Sequence, residues 1–351
     1  MPRLTIATSA TAVPMGAQVY QEEVSSRAAS ALQEEGAGWQ VTRVVVRSLR
    51  SPLPGNRRLP MGWVSGASAG ARRQIGRLLY PGGAVVHRMN LELPPASHAD
   101  VITLHDVVSW KFPDESPPVP AAAEEARRAA AVICVSHFSA AEAVDLLGIS
   151  DPVVVHNGVD RRFFDAAPAD PALLATLGVN GPYVLTAGGA SRRKNLEGLA
   201  AAWPKVHSSR PDLTLVLSGP EHPRRTELFR GLSGVRLVGR VPGDAVPGLI
   251  AAAAAVVVPS LYEGFGLPAL EGMAAGVPVV AARTSSLPEV VGDGGILVEP
   301  TPDDLAQGIL AAVAGGAEVA RMVEIGRRRS RDFTWERSAA GHARVWAALG
   351  G

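Results

Sequence analysis

The sequence predicts an α/β protein made of two doubly wound halves, and three observations carry that reading. Short apolar runs recur in two series, helix-period patterns separate most of them, and a stretch bearing Pro and Gly divides one series from the other. The chain has 351 residues, which suits two domains of the usual ~100–200 residues each.

The first series is Leu4–Thr8, Val41–Val46, Ala84–His87, Val101–Thr103, Val132–Val135 and Val153–Val155. Short, continuous apolar runs are what parallel strands buried on both faces look like. The second series is Tyr183–Ala187, Leu213–Ser218, Val235–Val238, Ala255–Val258, Val277–Ala281 and Ile296–Val298, with helical stretches such as Leu196–Ala202 and Leu305–Val313 between. Between the series, Arg161–Asn180 carries Pro168, Pro171 and Gly178 around a weak helical pattern, as a hinge would. The expected layout is a first domain over 1–165, a linker over 166–180, a second domain over 181–330 and a terminal helix over 331–351. In that helix Trp335, Val345, Trp346 and Leu349 recur at roughly helical spacing and need a surface to cover. Packing back across an interdomain cleft and docking on its own domain both satisfy the pattern.

Composition narrows the function classes. Apolar residues make up 47% and charged residues 19%, a globular balance, and the formal net charge of +1 carries no global signature of nucleic-acid binding. The single cysteine, Cys134, lies inside the apolar run Ala131–Val135, so neither a disulfide framework nor a cysteine metal cluster is expected. The longest apolar run, Leu249–Val258, stops at Pro259, short of the ~18 residues a membrane span needs. Met1–Ala12 does not read as a secretory leader, and a cytoplasmic location is expected.

The segment Glu263–Glu271, E-G-F-G-L-P-A-L-E, carries the most chemistry. It follows the strand-like Ala255–Val258, and Pro268 suits the first position of a helix. The backbone N–H groups of Phe265, Gly266 and Leu267 would then point at an anion, and Gly264 and Gly266 let the backbone approach it. Two carboxylates beside an anion site make sense as acceptors of hydroxyl hydrogen bonds. Glu271 could grip a ribose diol and Glu263 a hydroxyl of a sugar, although Glu271 alone is also what a complement to a helix dipole looks like.

Other strand ends add to this. Gly188 and Gly189 follow Ala187, and Ser191-Arg192-Arg193-Lys194-Asn195 then places cations before a helix, where they could neutralise a diphosphate. In the first half, Met15-Gly16-Ala17 follows the first strand, and Thr103-Leu104-His105-Asp106 ends another. His105 could meet a sugar hydroxyl or the reacting centre with Asp106 orienting it, or Asp106 could simply cap a turn.

Taken together these residues resemble glycosyltransferase family four, the retaining nucleotide-sugar transferases of GT-B architecture, over nearly the whole chain. Glu263 and Glu271 match that family's glutamate pair, and Gly276-Val277-Pro278-Val279-Val280 extends the match. Arg193-Lys194-Asn195 matches its diphosphate loop, and Thr103–Asp106 its histidine strand end. Val135-Ser136, Phe138-Ser139, Asn157–Asp160, Ser285–Glu289 and Gly292-Asp293 add further agreement. Two departures stand out. Many members have adjacent glycines where Pro14-Met15-Gly16 stands, and some carry an arginine where this chain has Gly189.

The resemblance implies two Rossmann-like domains facing each other across a cleft, with acceptor contacts at Gly16, His105 and Asp106. Donor contacts would come from Gly188, Arg193, Lys194, Arg240, Val241, Glu263, Gly264, Phe265, Gly266, Leu267 and Glu271. It implies a GDP-, dTDP- or UDP-linked hexose donor, mannose- or rhamnose-like, and a saccharide, lipid-linked or small-molecule hydroxyl acceptor, with no resident metal. His105, Glu263, Arg193 and Lys194 would act in the transfer by stabilising the departing diphosphate and positioning the sugar, not through a covalent glutamate intermediate.

Rival readings explain less. Gly264-x-Gly266-x-x-Ala269 fits a dinucleotide fingerprint, but the acid expected after the next strand is absent at Ala281-Ala282-Arg283. A glycosidase needs its carboxylates facing each other across a bond. A non-catalytic nucleotide-sugar-binding partner of another transferase remains the alternative, distinguished by turnover. Finally, no Asp or Glu occurs from Gly36 to Leu91, while the stretch carries many arginines, among them those at 43, 47, 50, 57, 58, 72, 73 and 77. Trp63, Ala67, Ala71, Ile75 and Leu78 could form one helical face with Arg72, Arg73 and Arg77 beside it. That pattern fits either a core-facing stripe or a strongly positive surface for peripheral membrane contact or an anionic acceptor.

Overall fold

The computed structural model describes residues 1–11, 16–36 and 38–350. It separates into a first unit, Met1–Gly158 with Trp335–Gly351, and a second unit, Val159–Thr334.

Among the described residues, the first unit holds a seven-stranded sheet in the order β3-β2-β1-β4-β5-β6-β7. Its strands are β1 (Arg3–Ser9), β2 (Gln40–Ser48), β3 (Arg57–Leu59), β4 (Val85–Arg88), β5 (Asp100–Leu104), β6 (Ala131–Cys134) and β7 (Val153–Val154). Every pairing is parallel. The second unit holds a six-stranded sheet in the order β10-β9-β8-β11-β12-β13. Here the strands are β8 (Tyr183–Ala187), β9 (Thr214–Ser218), β10 (Val235–Gly239), β11 (Ala255–Val258), β12 (Val279–Ala282) and β13 (Ile296–Val298), again all parallel. Both sheets are doubly wound, as expected from the two series of apolar runs. The sequence missed β3, an edge strand whose Arg57 and Arg58 carry no apolar signal.

Winding direction reverses between β1 and β4 in the first sheet and between β8 and β11 in the second. At such a switch point the two neighbouring loops leave the sheet in opposite directions and open a crevice at the strands' carboxyl ends. In the second unit those loops are Gly188–Asn195 and Pro259–Gly266, so the topology juxtaposes the two segments singled out by sequence.

The terminal helix, Trp335–Gly350, belongs to the first unit. Trp335, Ala339, Ala343 and Trp346 form its buried stripe, packed with Tyr20, Val24, Ala28 and Leu32 of helix Gly16–Glu34 over Leu4, Ile6 and Ile133 of the sheet. Gly341 permits the close fit, since a Cβ there would meet Val155 Cγ1 at 2.7 Å. The division between units also differs from the expected 165/166 boundary. Residues 166–180 fall in the second unit, fastened there by Ala169 N donating to Gly248 O at 2.9 Å and Arg236 Nε donating to Gly178 O at 2.9 Å. Pro168, Pro171 and Gly178 therefore mark turns on a packed surface rather than a hinge.

The arginine-rich region needs a larger correction. No single face runs from Trp63 to Leu78, because the chain forms two helices, Met61–Gly66 and Ala69–Leu79, with Ser68 capping the second. Arg72 is fully buried, its Nε donating to Glu125 Oε1 at 2.6 Å, and Arg43 pairs with Glu22 at 2.6 Å. Both carboxylates lie outside the acid-free window, so a local count overstates the surface charge. Trp63 and Leu78 are exposed, at 61% and 91%. No helix among the described residues is long and apolar enough to cross a membrane.

Candidate functional site

The loop after β8 is shaped by glycine and asparagine. Gly188 takes φ +144°, a conformation that side-chain-bearing residues rarely adopt, and a would-be Cβ there would rest in ordinary contact with Lys194 Cε at 3.6 Å. A single 3₁₀ turn, Arg192–Lys194, then ends at Asn195 in the left-handed region, φ +50° and ψ +40°. Asn tolerates that conformation because its short side chain bonds locally. Asn195 Oδ1 accepts from Gly198 N at 3.2 Å, capping helix Leu196–Ser209. Its Nδ2 donates to Pro259 O and Pro300 O, each at 3.0 Å, stapling the cation loop to the loop after β11.

That second loop brings Glu263 to the cations. Lys194 Nζ stands 2.6 Å from Glu263 Oε1, and Arg193 Nη1 stands 3.4 Å from Oε2. Ser260 Oγ also donates to Oε1 at 2.7 Å. The Glu263 main chain is held as well: its N–H donates to Ser285 Oγ at 2.9 Å, and its carbonyl accepts from Ser286 Oγ at 2.9 Å. Burial would raise the Glu263 carboxyl, but the Lys194 and Arg193 charges with the hydrogen bonds from Lys194 and Ser260 outweigh it and hold the carboxyl below its ordinary value. Glu263 is thus ionised, with the two expected phosphate ligands resting on it.

Gly266, at φ +103°, precedes helix Leu267–Ala274, and any Cβ there would lie 2.7 Å from Leu287 Cδ2. Ala269 N and Leu270 N already donate to Gly266 O. The N–H groups of Gly266 and Leu267 donate to no protein acceptor among the described residues, so they are the pair open to an anion. Phe265 is buried, its ring edge-on to Phe333 at 5.8 Å, and Gly264 precedes it in the turn. Glu271 sits one turn into the helix, and its carboxyl makes no hydrogen bond or ion pair among the described residues. Burial, with the Asp160 charge adding to it, pushes that carboxyl up to about 8. A neutral carboxylic acid both donates and accepts, which suits a diol. Arg240 and Val241 follow β10, two strands from β8, with Arg240 exposed.

Two contributors went unread in the sequence. Ser260 carried no motif signal. Arg225, from helix Pro223–Phe229, lines the same recess as Gly188, Lys194 and Ser260. A basic residue in a polar stretch, E-H-P-R-R-T, gives no sign that it will be buried.

In the first unit, Gly16 opens helix Gly16–Glu34, while Pro14 and Met15 lie outside the described residues. His105 and Asp106 follow β5. Asp106 Oδ1 accepts from Val108 N at 3.2 Å, the turn-capping arrangement. His105 Nε2 is buried without a hydrogen-bond partner, and the ring meets Tyr20 edge-on at 4.6 Å. Burial, then the neighbouring His342, lower its pKa to about 4. Tyr20 Oη bonds Thr103 Oγ1 at 2.6 Å and His342 Nε2 at 2.7 Å, and His87 Nε2 bonds Thr103 Oγ1 at 2.8 Å. The C-terminal helix thus places His342 in a buried neutral network behind His105, which no local motif foretold.

The family described as Glycosyl transferases group 1 matches residues 181–314, the span containing both loops of the switch point. O-antigen chain mannosyltransferase B of Escherichia coli is 32% identical over 287 residues, covering 76% of this chain and 74% of that protein. The chain belongs to the glycosyl transferases group 1. Within that family, a GDP-mannose-dependent alpha-(1-6)-phosphatidylinositol dimannoside mannosyltransferase of Mycobacterium tuberculosis is 31% identical over 214 residues, 60% of this chain and 55% of that one. Among solved structures, Anabaena HepE in complex with UDP-glucose superposes with a TM-score of 0.74 at 20% identity, covering 99% of this chain and 100% of that one. Sucrose-phosphate synthase from Thermosynechococcus elongatus gives 0.73 at 22% identity, covering 99% of both chains. These likenesses show the fold, a GT-B arrangement of two Rossmann-like domains. For a group 1 glycosyltransferase, the expected α/β fold class stands.

Proposed function

We propose that this group 1 glycosyltransferase transfers a hexose from a nucleoside-diphosphate sugar to a hydroxyl acceptor, with retention of anomeric configuration, as family four members do. The observation that carries the reading is the switch point of the second unit. There an ionised Glu263 lies between Lys194 and Arg193, beside two open N–H groups at Gly266 and Leu267 and an unpaired Glu271.

In this reading the diphosphate lies against the Gly266–Leu267 amides and draws Lys194 and Arg193. Their charge matters most as the glycosidic bond to the diphosphate breaks and negative charge gathers on the leaving oxygen, which is electrostatic preorganisation. Glu263, released in part from its cations, accepts from hydroxyls of the sugar, and Glu271 takes the ribose diol. Gly188 allows close approach of the donor, and backbone near Arg240 and Val241 meets the base. The acceptor contacts are assigned to Gly16, His105 and Asp106 of the first unit. A neutral His105 can accept the proton of an attacking hydroxyl or hold a sugar hydroxyl.

A mannose-like sugar is favoured because two of the relatives, at 32% and 31% identity, are named as mannosyltransferases, one of them GDP-mannose-dependent; others, at 31% and 34%, are named as a glycogen synthase and an alpha-maltose-1-phosphate synthase. Turnover assays across GDP-, UDP- and dTDP-hexoses, with NMR of the anomeric proton in any product, test this. The expected result is one preferred donor and a retained configuration. An inverted product sinks the retaining assignment, and binding without transfer or donor hydrolysis under any condition favours a non-catalytic role.

A further inference from the structure

Arg225 is a buried cation without a counter-charge. It is 4% exposed, and no carboxylate among the described residues lies within ion-pairing distance of it. Arg72 and Arg88 are buried as deeply, but each faces a carboxylate, Glu125 at 2.6 Å and Asp100 at 2.8 Å. Arg225 instead donates to main-chain carbonyls, Nη1 to Pro220 O at 3.1 Å and Nη2 to Gly189 O at 3.0 Å and to Gly188 O. Its Nε is buried with no acceptor. Those bonds use three of five guanidinium hydrogens, leaving the charge itself unmatched. Buried charges are ordinarily paired. One left unpaired on the wall of a recess shared with Lys194 and Gly188 marks a place where an anion belongs.

Neighbouring glycines keep that place open. A Cβ on Gly219 would sit 3.1 Å from Arg225 Nη1 and 2.1 Å from Gly188 O, so only glycine lets these loops and the guanidinium come together. Gly189 has nothing within 4 Å of a would-be Cβ, so this position could carry a side chain and here carries none.

We propose that Arg225 is a further donor-site residue, presenting its guanidinium to the diphosphate from the loop side of β9 and supplying the charge that position 189 lacks. This rests on the donor site assigned above, and it adds a phosphate ligand outside the segments that carry the family resemblance. Arg225 also fixes the Gly188–Gly189 turn through its carbonyl bonds, so diphosphate recognition and loop shape share one side chain.

Calorimetric titration of the full chain with UDP, GDP and dTDP, alongside uridine, guanosine and thymidine, tests it. Arg225→Gln should weaken the preferred diphosphate by about 10-fold or more, as loss of a charged hydrogen bond does, while affinity for the matching nucleoside stays within about twofold. Arg225→Lys should fall between the two. Adding Gly189→Arg to Arg225→Gln should recover part of the lost diphosphate affinity. Unchanged diphosphate binding in Arg225→Gln overturns the proposal, as does equal weakening of diphosphate and nucleoside. No recovery with Gly189→Arg also overturns it, because Arg225 would then serve only to hold the turn. A wild-type chain that binds none of the diphosphates removes the donor site itself.

Discussion

At the carboxyl edge of the second unit's sheet, charge faces charge: Glu263 is held by Lys194 and Arg193, and Arg225 lies in the same recess. At the carboxyl edge of the first unit's sheet Tyr20, Thr103, His87 and His342 are linked by hydrogen bonds with the His105 ring packed on Tyr20, and burial keeps all three histidines neutral near pH 7. The same doubly wound frame thus carries a cluster of charges at one edge and neutral histidines at the other. What differs is the source of the groups. The second unit collects its charges from two loops at its switch point and from the helix after β9, whereas the first takes His342 from the far end of the chain.

The comparison can be broken by mutation. The largest effect is expected from Trp346→Ala, which removes a fully buried side chain and should destabilise the first unit by about 3–5 kcal/mol. Nucleoside-diphosphate affinity should stay within about twofold while the mutant remains folded, since each edge is built within its own unit. Thermal unfolding followed with and without nucleotide checks both halves of that statement. Next, Lys194→Ala should lower the turnover number by ~10²–10³-fold, the range for losing one transition-state charge contact. A larger effect on KM than on kcat would instead make Lys194 a ground-state ligand. Asn195→Ala should destabilise the second unit by about 1–2 kcal/mol by removing a helix cap and two inter-loop bonds, read by chemical unfolding.

The pH dependences of the two units run in opposite directions. His105 and His342 are lowered to about 4 and His87 is lowered as well, so the unfolded chain takes up protons first as pH falls below about 6.5. Stability from these groups is complete above pH 6.5 and is lost toward pH 4. Glu271, raised to about 8, has the opposite sign: its contribution is complete below about pH 4.5 and is lost as pH rises toward 8. Between pH 7 and 5 the first unit should therefore open more readily while Glu271 makes the second less prone to open, a contrast that hydrogen exchange resolves unit by unit. Glu271→Gln should abolish the rising loss in the second unit and leave the first unchanged. If Glu271→Gln leaves the second unit's pH profile as it was, the carboxyl is already ionised in the folded chain.

Much of this was legible in the sequence because parallel strands buried on both faces write themselves as unbroken apolar runs. Tyr183–Ala187, Ala255–Val258 and Ile296–Val298 match their strands residue for residue. The two loops of the second unit's switch point were legible too, since glycine, proline and clustered charge at strand ends have local causes. What escaped depended on partners distant in sequence. Arg72 looked like a surface cation until Glu125 supplied its counter-charge, 53 residues away. Residues 166–180 looked like a linker until Gly248 and Arg236 bound them. The ion pair between Glu263 and Lys194 spans 69 residues, and neither loop alone implies that the sugar's expected acceptor and the phosphate's expected cation rest on each other.

Hydrogen exchange of the intact chain with and without GDP, UDP and dTDP tests the central claim most directly. The account predicts that at least one diphosphate slows exchange in two separate segments, residues 188–195 and 260–271, with a smaller effect or none around Tyr20 and His105. Protection confined to the first unit, or absent with all three nucleotides at saturating concentration, would contradict it.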